Sequence, residues 1–153
     1  MTDPIAITAS IPAPSVTRGG LLVLVVTLTR PGGTVRRELR SGKAVKSADY
    51  ALLVTTPGSA NVTYKSTTAC PALKPRSLEV LQVLGNGSLL YPHVPMRLYR
   101  NKRNKPSVRK FQIKFRVGAG ATSPLVFRAS VWKNAMLLQQ TGPIQVETNG
   151  AQV

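Results

Sequence analysis

The chain has 153 residues and a mass of 16.4 kDa, enough for one domain with a hydrophobic core. It carries 21 Lys and Arg against 5 Asp and Glu, a net charge of +16, so carboxylates are too few for most hydrolytic and phosphoryl-transfer sites. Hydrophobic residues make up 42% of the chain, which excludes a disordered basic tail. Because a net charge this far from zero works against compact and assembled states, the composition favours a polyanionic partner.

The predicted elements, taken along the chain, are short strands separated by Pro and Gly. Residues 21–29 are apolar on both faces and predict a central strand buried on both sides. The turn signal at residues 30–33 then predicts a hairpin with a return strand over residues 35–40. The other predicted strands cover residues 50–55, 61–65, 78–84, 96–100, 108–117, 125–133 and 136–140. Helical spacing is an alternative for residues 77–84 and 129–140, but alternation explains both segments as well.

Domain organisation follows from the two ends of this strand series. Residues 1–16 are rich in Pro, Ala and Ser and predict an extended N-terminal arm. Residues 17–146 are predicted to form a single β-rich domain, and residues 147–153 a flexible C-terminal tail. The predicted fold class is mainly β, with antiparallel strands and little helix, arranged either as one open sheet or as a small sandwich or jelly roll.

The cations are concentrated in one acid-free part of the chain. Nine of the 21 lie within residues 97–116, and no acid lies between Glu79 and Glu147. Phosphate contact requires only positive charge within reach, so this distribution favours non-specific binding of RNA. The predicted RNA-binding residues are Arg97, Arg100, Lys102, Arg103, Lys105, Arg109, Lys110, Lys114 and Arg116.

The second half of this segment alternates in polarity. In a strand, a period of two places the apolar residues in the core and the cations in a row on the opposite face, with about 7 Å between successive members. That distance is near the spacing of phosphates along a nucleic-acid strand. The core residues predicted in this way are Phe111, Ile113, Phe115 and Val117, and the outward residues are Lys110, Gln112, Lys114 and Arg116. The aromatic candidates for base stacking, Tyr91, Tyr99 and Trp132, are expected to lie in the core or in an interface instead.

The sequence contains no recognisable catalytic or metal-binding motif. His93 stands alone between two prolines, and no spacing recommends a nucleophilic pair with Cys70. One His, one Cys and scattered carboxylates offer no metal-ligand set. We therefore predict a protein that is not an enzyme and that uses no cofactor.

Three functions are compatible with these observations. A viral capsid protein that assembles an icosahedral shell and packages RNA through its basic sheet face accounts for the composition and the charge. A non-enzymatic monomeric or dimeric RNA-binding accessory protein is the alternative. An Ig-like decoration or adhesion domain fits the number of strands but leaves the charge unexplained. We adopt the capsid prediction, with other copies of the chain and a single-stranded RNA genome as partners and with neither a small-molecule substrate nor a membrane.

A basic strand, a cationic turn, an alternating strand, a Gly turn and a further strand follow one another over residues 97–104, 108–117 and 126–140. This order resembles the central sheet of the single-stranded RNA bacteriophage coat proteins. The resemblance implies that these strands form the RNA-facing surface of a dimer within a quasi-symmetric shell. That family ends in two helices, whereas only residues 141–153 follow the last predicted strand here, so the end is rebuilt or the chain is another small capsid such as a jelly roll.

Compartment signals are sparse. The first five residues lack the basic start and apolar stretch of a signal peptide, and the most apolar run, residues 21–28, is too short to span a bilayer. The single cysteine, Cys70, allows no intramolecular disulfide. We therefore expect a product made without targeting, assembled in the host cytoplasm and located in the virion.

Overall fold

The computed structural model describes residues 5–30, 46–70, 81–98 and 107–150 of the chain. These residues form eleven strands and contain no helix, so none of their segments is a helix that could cross a membrane. The predicted mainly β fold class is confirmed. The strands are β1 Ala6–Ser10, β2 Ser15–Thr17, β3 Leu21–Arg30, β4 Lys46–Thr55, β5 Val62–Cys70, β6 Gln82–Val83, β7 Leu89–Leu98, β8 Ser107–Val117, β9 Leu125–Lys133, β10 Met136–Gln140 and β11 Ile144–Asn149.

The strands are divided between two sheets that pack face to face as a sandwich. The first sheet has four strands in the order β1-β3-β8-β5, all antiparallel. The second has the order β2-β11-β9-β4-β7-β6, with β10 also paired to β9. Its pairings are antiparallel except that β2 runs parallel to β11. The small sandwich considered as an alternative for this sequence is therefore the observed arrangement.

The core lies between the two sheets and is built from the alternating residues of their long strands. On β8, Phe111, Ile113 and Phe115 are fully buried, as the alternation of that segment predicts. Rings from the two sheets meet there: the centroids of Phe115 and Phe127 are 5.4 Å apart, and so are those of Tyr91 and Phe111. Each large apolar side chain buried in this way stabilises the fold by about 1.5–3 kcal/mol relative to an exposed one.

The burial of strand β3 differs from the prediction. It is central in its sheet, between β1 and β8, but only one of its faces is buried. Leu22, Leu24 and Val26 point into the core, whereas Leu21 is 55% exposed and its outer-face neighbours are half-buried. The prediction of burial on both sides is wrong because the outer face of this sheet carries no further layer of described residues. The predicted return strand over residues 35–40 lies outside the described residues.

The first and last parts of the described chain belong to the sheets. Within the predicted N-terminal arm, residues 6–10 form β1 against β3, and β2 begins at Ser15. At the other end, β11 continues to Asn149, two residues beyond the start of the predicted tail, and pairs with both β2 and β9. Of the two segments with helical spacing, residues 129–140 are part of the β9–β10 hairpin, and residues 82–83 of the other form β6.

Candidate binding surface

The outer face of the four-stranded sheet carries a row of cations on β8. Lys110, Lys114 and Arg116, here called the basic row, are exposed and alternate with the buried core residues of the same strand. Gln112 occupies the remaining outward position between the two lysines. With about 3.3 Å per residue, the row extends roughly 20 Å along the strand. The predicted outward face of this segment is thus present as a continuous surface.

The neighbouring strands place small hydroxyl side chains and apolar side chains beside the basic row. On β5, the exposed residues Thr63, Ser66 and Thr68 are registered with Arg116, Lys114 and Gln112. On β3, Val23 and Val25 are registered with Lys114 and Gln112. Residues directly opposite each other in an antiparallel pair share a face of the sheet. The cations therefore lie in a band that is hydroxyl-rich on one side and apolar on the other.

Local hydrogen bonds hold the end of the basic row that lies nearest the β2–β3 turn. Arg116 Nη1 donates to the carbonyl of Gly19 at 3.0 Å, and the two chain segments are also joined by backbone bonds from Gly19 N to Val117 O and from Val117 N to Gly20 O. Gly19 has a φ of +85°, a region in which a side chain is strained. The turn that positions Arg116 therefore favours glycine at this position.

The described acidic side chains do not neutralise the basic row. Of the five acids, only Glu147 has a described side chain, and it lies on β11 in the other sheet. Its Oε2 accepts a hydrogen bond from Ser123 Oγ at 2.7 Å. Exposed cations without an acidic partner keep their attraction for an external anion, so the outer face of β8 is electropositive.

The structure separates the other predicted RNA-binding residues from the basic row. Arg109 has the inward parity of its strand, is half-buried, and its Nε donates to the carbonyl of Pro95 on β7 at 3.0 Å. Arg97 lies near the end of β7, in the other sheet. The remaining four residues lie outside the described residues: Arg100, Lys102, Arg103 and Lys105.

The titratable residues that could support chemistry are scattered. Cys70 is exposed at the end of β5, and His93 is exposed on β7, in the opposite sheet. Within the described part of the chain, no group of three His, Cys, Asp or Glu side chains could hold a metal ion. The described part of the chain therefore does not bring Cys70 and His93 together.

A second surface feature, absent from the sequence predictions, lies on the outer face of the other sheet. A groove of about 350 Å³ is lined by the apolar residues Ala51, Leu53, Leu84, Leu90 and Trp132. Trp132 Nε1 donates to Ser130 Oγ at 2.9 Å, which fixes the indole against β9. The signal in the sequence was the apolar run at the end of β4, whose residues face the core and the groove alternately.

One buried polar network joins the two sheets. The hydroxyl of Thr67 on β5 is hydrogen-bonded at 2.7 Å to the hydroxyls of both Tyr64 and Tyr91. Tyr91 is 1% exposed, and this burial raises the pKa of its hydroxyl well above the ordinary value, with the Thr67 hydrogen bond opposing the shift. The network is structural, because both tyrosine rings also pack against phenylalanine rings of β8.

No protein-family model and no curated protein matches the sequence. Solved structures do match. The N-terminal domain of the Streptococcus gordonii adhesin Sgo0707 superposes with a TM-score of 0.62 at 10% identity, over 94% of this chain and 32% of that one. The major pilin subunit BcpA of Bacillus cereus gives a TM-score of 0.55 at 12% identity, over 95% and 40%.

The full-length major pilin SpaD of Corynebacterium diphtheriae gives a TM-score of 0.52 at 13% identity, over 95% of this chain and 33% of that one. The fold is similar to that of bacterial pilin and adhesin domains. The chain spans 32–40% of the length of these three proteins. Identities of 10–13% establish a shared fold and nothing further about their activities.

The resemblance to RNA bacteriophage coat proteins is wrong. It placed residues 97–104, 108–117 and 126–140 side by side in one sheet. In the structure β8 belongs to the four-stranded sheet, whereas β7, β9 and β10 belong to the other, so the matching segments do not form one surface. The similar structures are pilins and an adhesin instead.

The functional predictions, which were drawn from composition and charge as well as from that resemblance, are corrected too. The capsid function, the symmetric shell of identical copies, the RNA genome as partner and the location in a virion in the host cytoplasm are all wrong, because the structures similar to this fold are pilins and an adhesin. The RNA-binding accessory protein is without support as well.

Proposed function

We propose that this chain is a non-enzymatic β-sandwich module of a bacterial surface protein, of the general kind found in pilus subunits and adhesins. The observation that carries the proposal is the coverage of the fold: 94–95% of the chain superposes on an adhesin domain and on two major pilins. Because the match takes up 32–40% of those proteins, it is a match to one module within them. The proposed role is accordingly that of a folded unit that is displayed and makes contacts.

The distribution of reactive side chains supports a role in binding. Cys70 and His93 are exposed on different sheets, and the described carboxylate of Glu147 is engaged by Ser123. General acid–base or nucleophilic catalysis requires such groups within hydrogen-bond reach of one another. The sandwich instead offers two broad outer faces, one electropositive and one with an apolar groove, which suit contacts with other molecules.

Surface labelling of the organism that encodes the chain tests this proposal. Antibodies raised against the folded domain should label intact cells, and brief protease treatment of intact cells should remove the signal. A cytoplasmic enzyme probed in the same samples serves as the control and should be detected only after permeabilisation. Labelling of this protein only after permeabilisation would overturn the proposal.

A further inference from the structure

We propose that the outer face of the four-stranded sheet binds a linear acidic polysaccharide, with the basic row contacting its carboxylates and the β5 hydroxyls contacting its sugar hydroxyls. This inference rests on the proposed function, because the polysaccharide is named as a partner of the proposed surface module. Binding itself is a property of the isolated domain and is measured without reference to where the protein is located.

Charge complementarity is the first argument. The basic row presents three cations over roughly 20 Å of one strand. A strand of a packed sheet is rigid, so the cations are held in line at fixed intervals without an entropy cost for arranging the backbone. The two separations are about 13 Å, across Gln112, and about 7 Å. Three cations spread in this way suit an extended polymer with several charges better than a single small anion, which would use only one or two of them.

The composition of the flanks is the second argument. Thr63, Ser66 and Thr68 are exposed beside the basic row, and Gln112 lies within it. Hydroxyl groups both donate and accept hydrogen bonds, and an amide does the same with separate atoms. Sugar rings present hydroxyl groups that need both kinds of partner, whereas a phosphodiester backbone offers only acceptors to cations. The band beside the cations therefore suits a polyhydroxylated chain.

The position of the aromatic side chains argues against single-stranded nucleic acid as the occupant. Proteins that bind such strands stack the bases on exposed aromatic rings. On this face no described aromatic residue is available: Tyr64 packs inward against Phe115, and Trp132 lies on the other sheet. The face thus offers charge and hydroxyl groups but no stacking platform.

The test measures binding of polygalacturonate, a linear chain of uronic acid residues, by the purified domain, with neutral dextran as the control polymer. Lys110→Gln with Lys114→Gln removes two members of the basic row. Arg128→Gln with Lys133→Gln removes the same charge from the other sheet and is the charge control. Because Lys133 Nζ lies 5.4 Å from the centroid of the Tyr50 ring, the fold of this control is verified by circular dichroism as well. The basic-row variant should bind about tenfold more weakly and show a shallower slope of log affinity against log salt, while the control changes less than twofold.

The hydroxyl contacts are tested with a variant that keeps all charges. Ser66→Ala with Thr68→Val should weaken polygalacturonate binding by about threefold to tenfold through lost hydrogen bonds and leave binding of polyphosphate unchanged. Both double variants should retain the wild-type circular dichroism spectrum, because the substituted residues are exposed.

Three outcomes would overturn the inference. Equal losses in the basic-row and charge control variants would mean that binding reports net charge alone. Tighter binding of single-stranded RNA through the same row would assign a different partner. An unchanged affinity in the hydroxyl variant would remove the polysaccharide from consideration. None of these results bears on cell-surface labelling, so failure here and failure of the proposed function are distinguished.

Discussion

At the scale of single residues, the hydroxyl of Tyr91 is a buried polar group in an environment that differs strongly from water. It lies in the core, hydrogen-bonded to Thr67 across the two sheets. Thr67 also bonds Tyr64, so one threonine hydroxyl satisfies two tyrosines. A buried hydroxyl without such a partner would cost about 1–3 kcal/mol. The network therefore allows a tyrosine at a position where the packing alone would accept phenylalanine.

The substitution Tyr91→Phe should lower the free energy of unfolding near neutral pH by about 1 kcal/mol, because the hydrogen bond to Thr67 is lost while the ring is retained. The gap from wild type should close at high pH. The pKa of Tyr91 is raised in the folded state. Its protonated hydroxyl therefore contributes fully to the free energy of unfolding below the ordinary pKa near 10. Above that pH the contribution falls by up to about 1.4 kcal/mol per pH unit.

Urea denaturation of both proteins between about pH 8 and about pH 11 measures this effect, because this range brackets the ordinary pKa of tyrosine. The variant Tyr64→Phe retains the buried Tyr91 and should therefore still lose stability as pH rises through this range. A gap between wild type and Tyr91→Phe that stays constant over the whole range would contradict the assigned role of burial.

The alternation of side chains between the two faces of a strand also explains how much of the candidate site could be predicted from the sequence. The alternation on β8 placed Lys110, Lys114 and Arg116 outside, because a period of two is imposed by the backbone itself. The same parity directs Arg109 inward, where it bonds Pro95, although it was grouped with the outward cations because of its charge. Charge density along the chain does not report the face on which a side chain lies.

At the scale of elements, the β9–β10 hairpin is closed by two residues in the left-handed region. Lys133 and Met136 are paired, and between them Asn134 has a φ of 51° and Ala135 a φ of 62°. This is the backbone of a type I′ turn, for which Asn-Gly is the preferred sequence. Asn tolerates this conformation through local hydrogen bonds, but Ala does so at a cost of about 1–2 kcal/mol.

Replacing Ala135 with Gly should therefore raise the free energy of unfolding by about 0.5–1 kcal/mol, after allowance for the extra freedom that glycine gives the unfolded chain. Asn134→Gly is the matched control, and it should change stability less because asparagine is already compatible with its φ. Chemical denaturation of both variants measures the difference. An Ala135→Gly variant that is less stable than the wild type would contradict the strain assigned to the turn.

Two of the sheet edges formed by the described residues, those of β7 and β5, carry features that oppose strand addition. Beyond β6, the outer edge of β7 contains Pro92 and Pro95, which lack the N–H group needed by an added strand. On β5 the register shifts between Tyr64 and Ser66, and Lys65 occupies the irregular position. Bulges, lysines and prolines at edges reduce pairing between molecules. Strand addition is therefore not expected at these two edges.

Several element bounds could be predicted because local sequence determines them. The predicted strands 125–133 and 136–140 coincide with β9 and β10, since the turn residues between them interrupt the apolar pattern. The assignment of β8 and β9 to different sheets could not be predicted, because the connection over residues 118–124 has no sequence signal that distinguishes a hairpin from a crossing between sheets. That ambiguity made the similarity to a single open sheet plausible.

At the scale of the whole molecule, the net charge of +16 affects the stability of the folded state as well as the choice of binding partner. The one described acidic side chain, Glu147, bonds a serine, and the basic row is exposed without a described acidic partner. Cations that repel one another in a compact domain lower its stability relative to the expanded unfolded chain. Salt screens this repulsion. It also screens favourable ion pairs, but a chain with five acids can form only a few of them.

The melting temperature should therefore rise with sodium chloride, by about 2–4 °C for each kcal/mol of repulsion that is screened. Sodium chloride is preferred to sulfate, which strengthens apolar burial by exclusion from the surface and would confound the result. The variant with Lys110→Gln and Lys114→Gln starts with less repulsion, so it should melt higher than the wild type at low salt and gain less on salt addition. A melting temperature that falls with salt would mean that attractive ion pairs dominate, and the electropositive face would then be a minor part of the molecule's electrostatics.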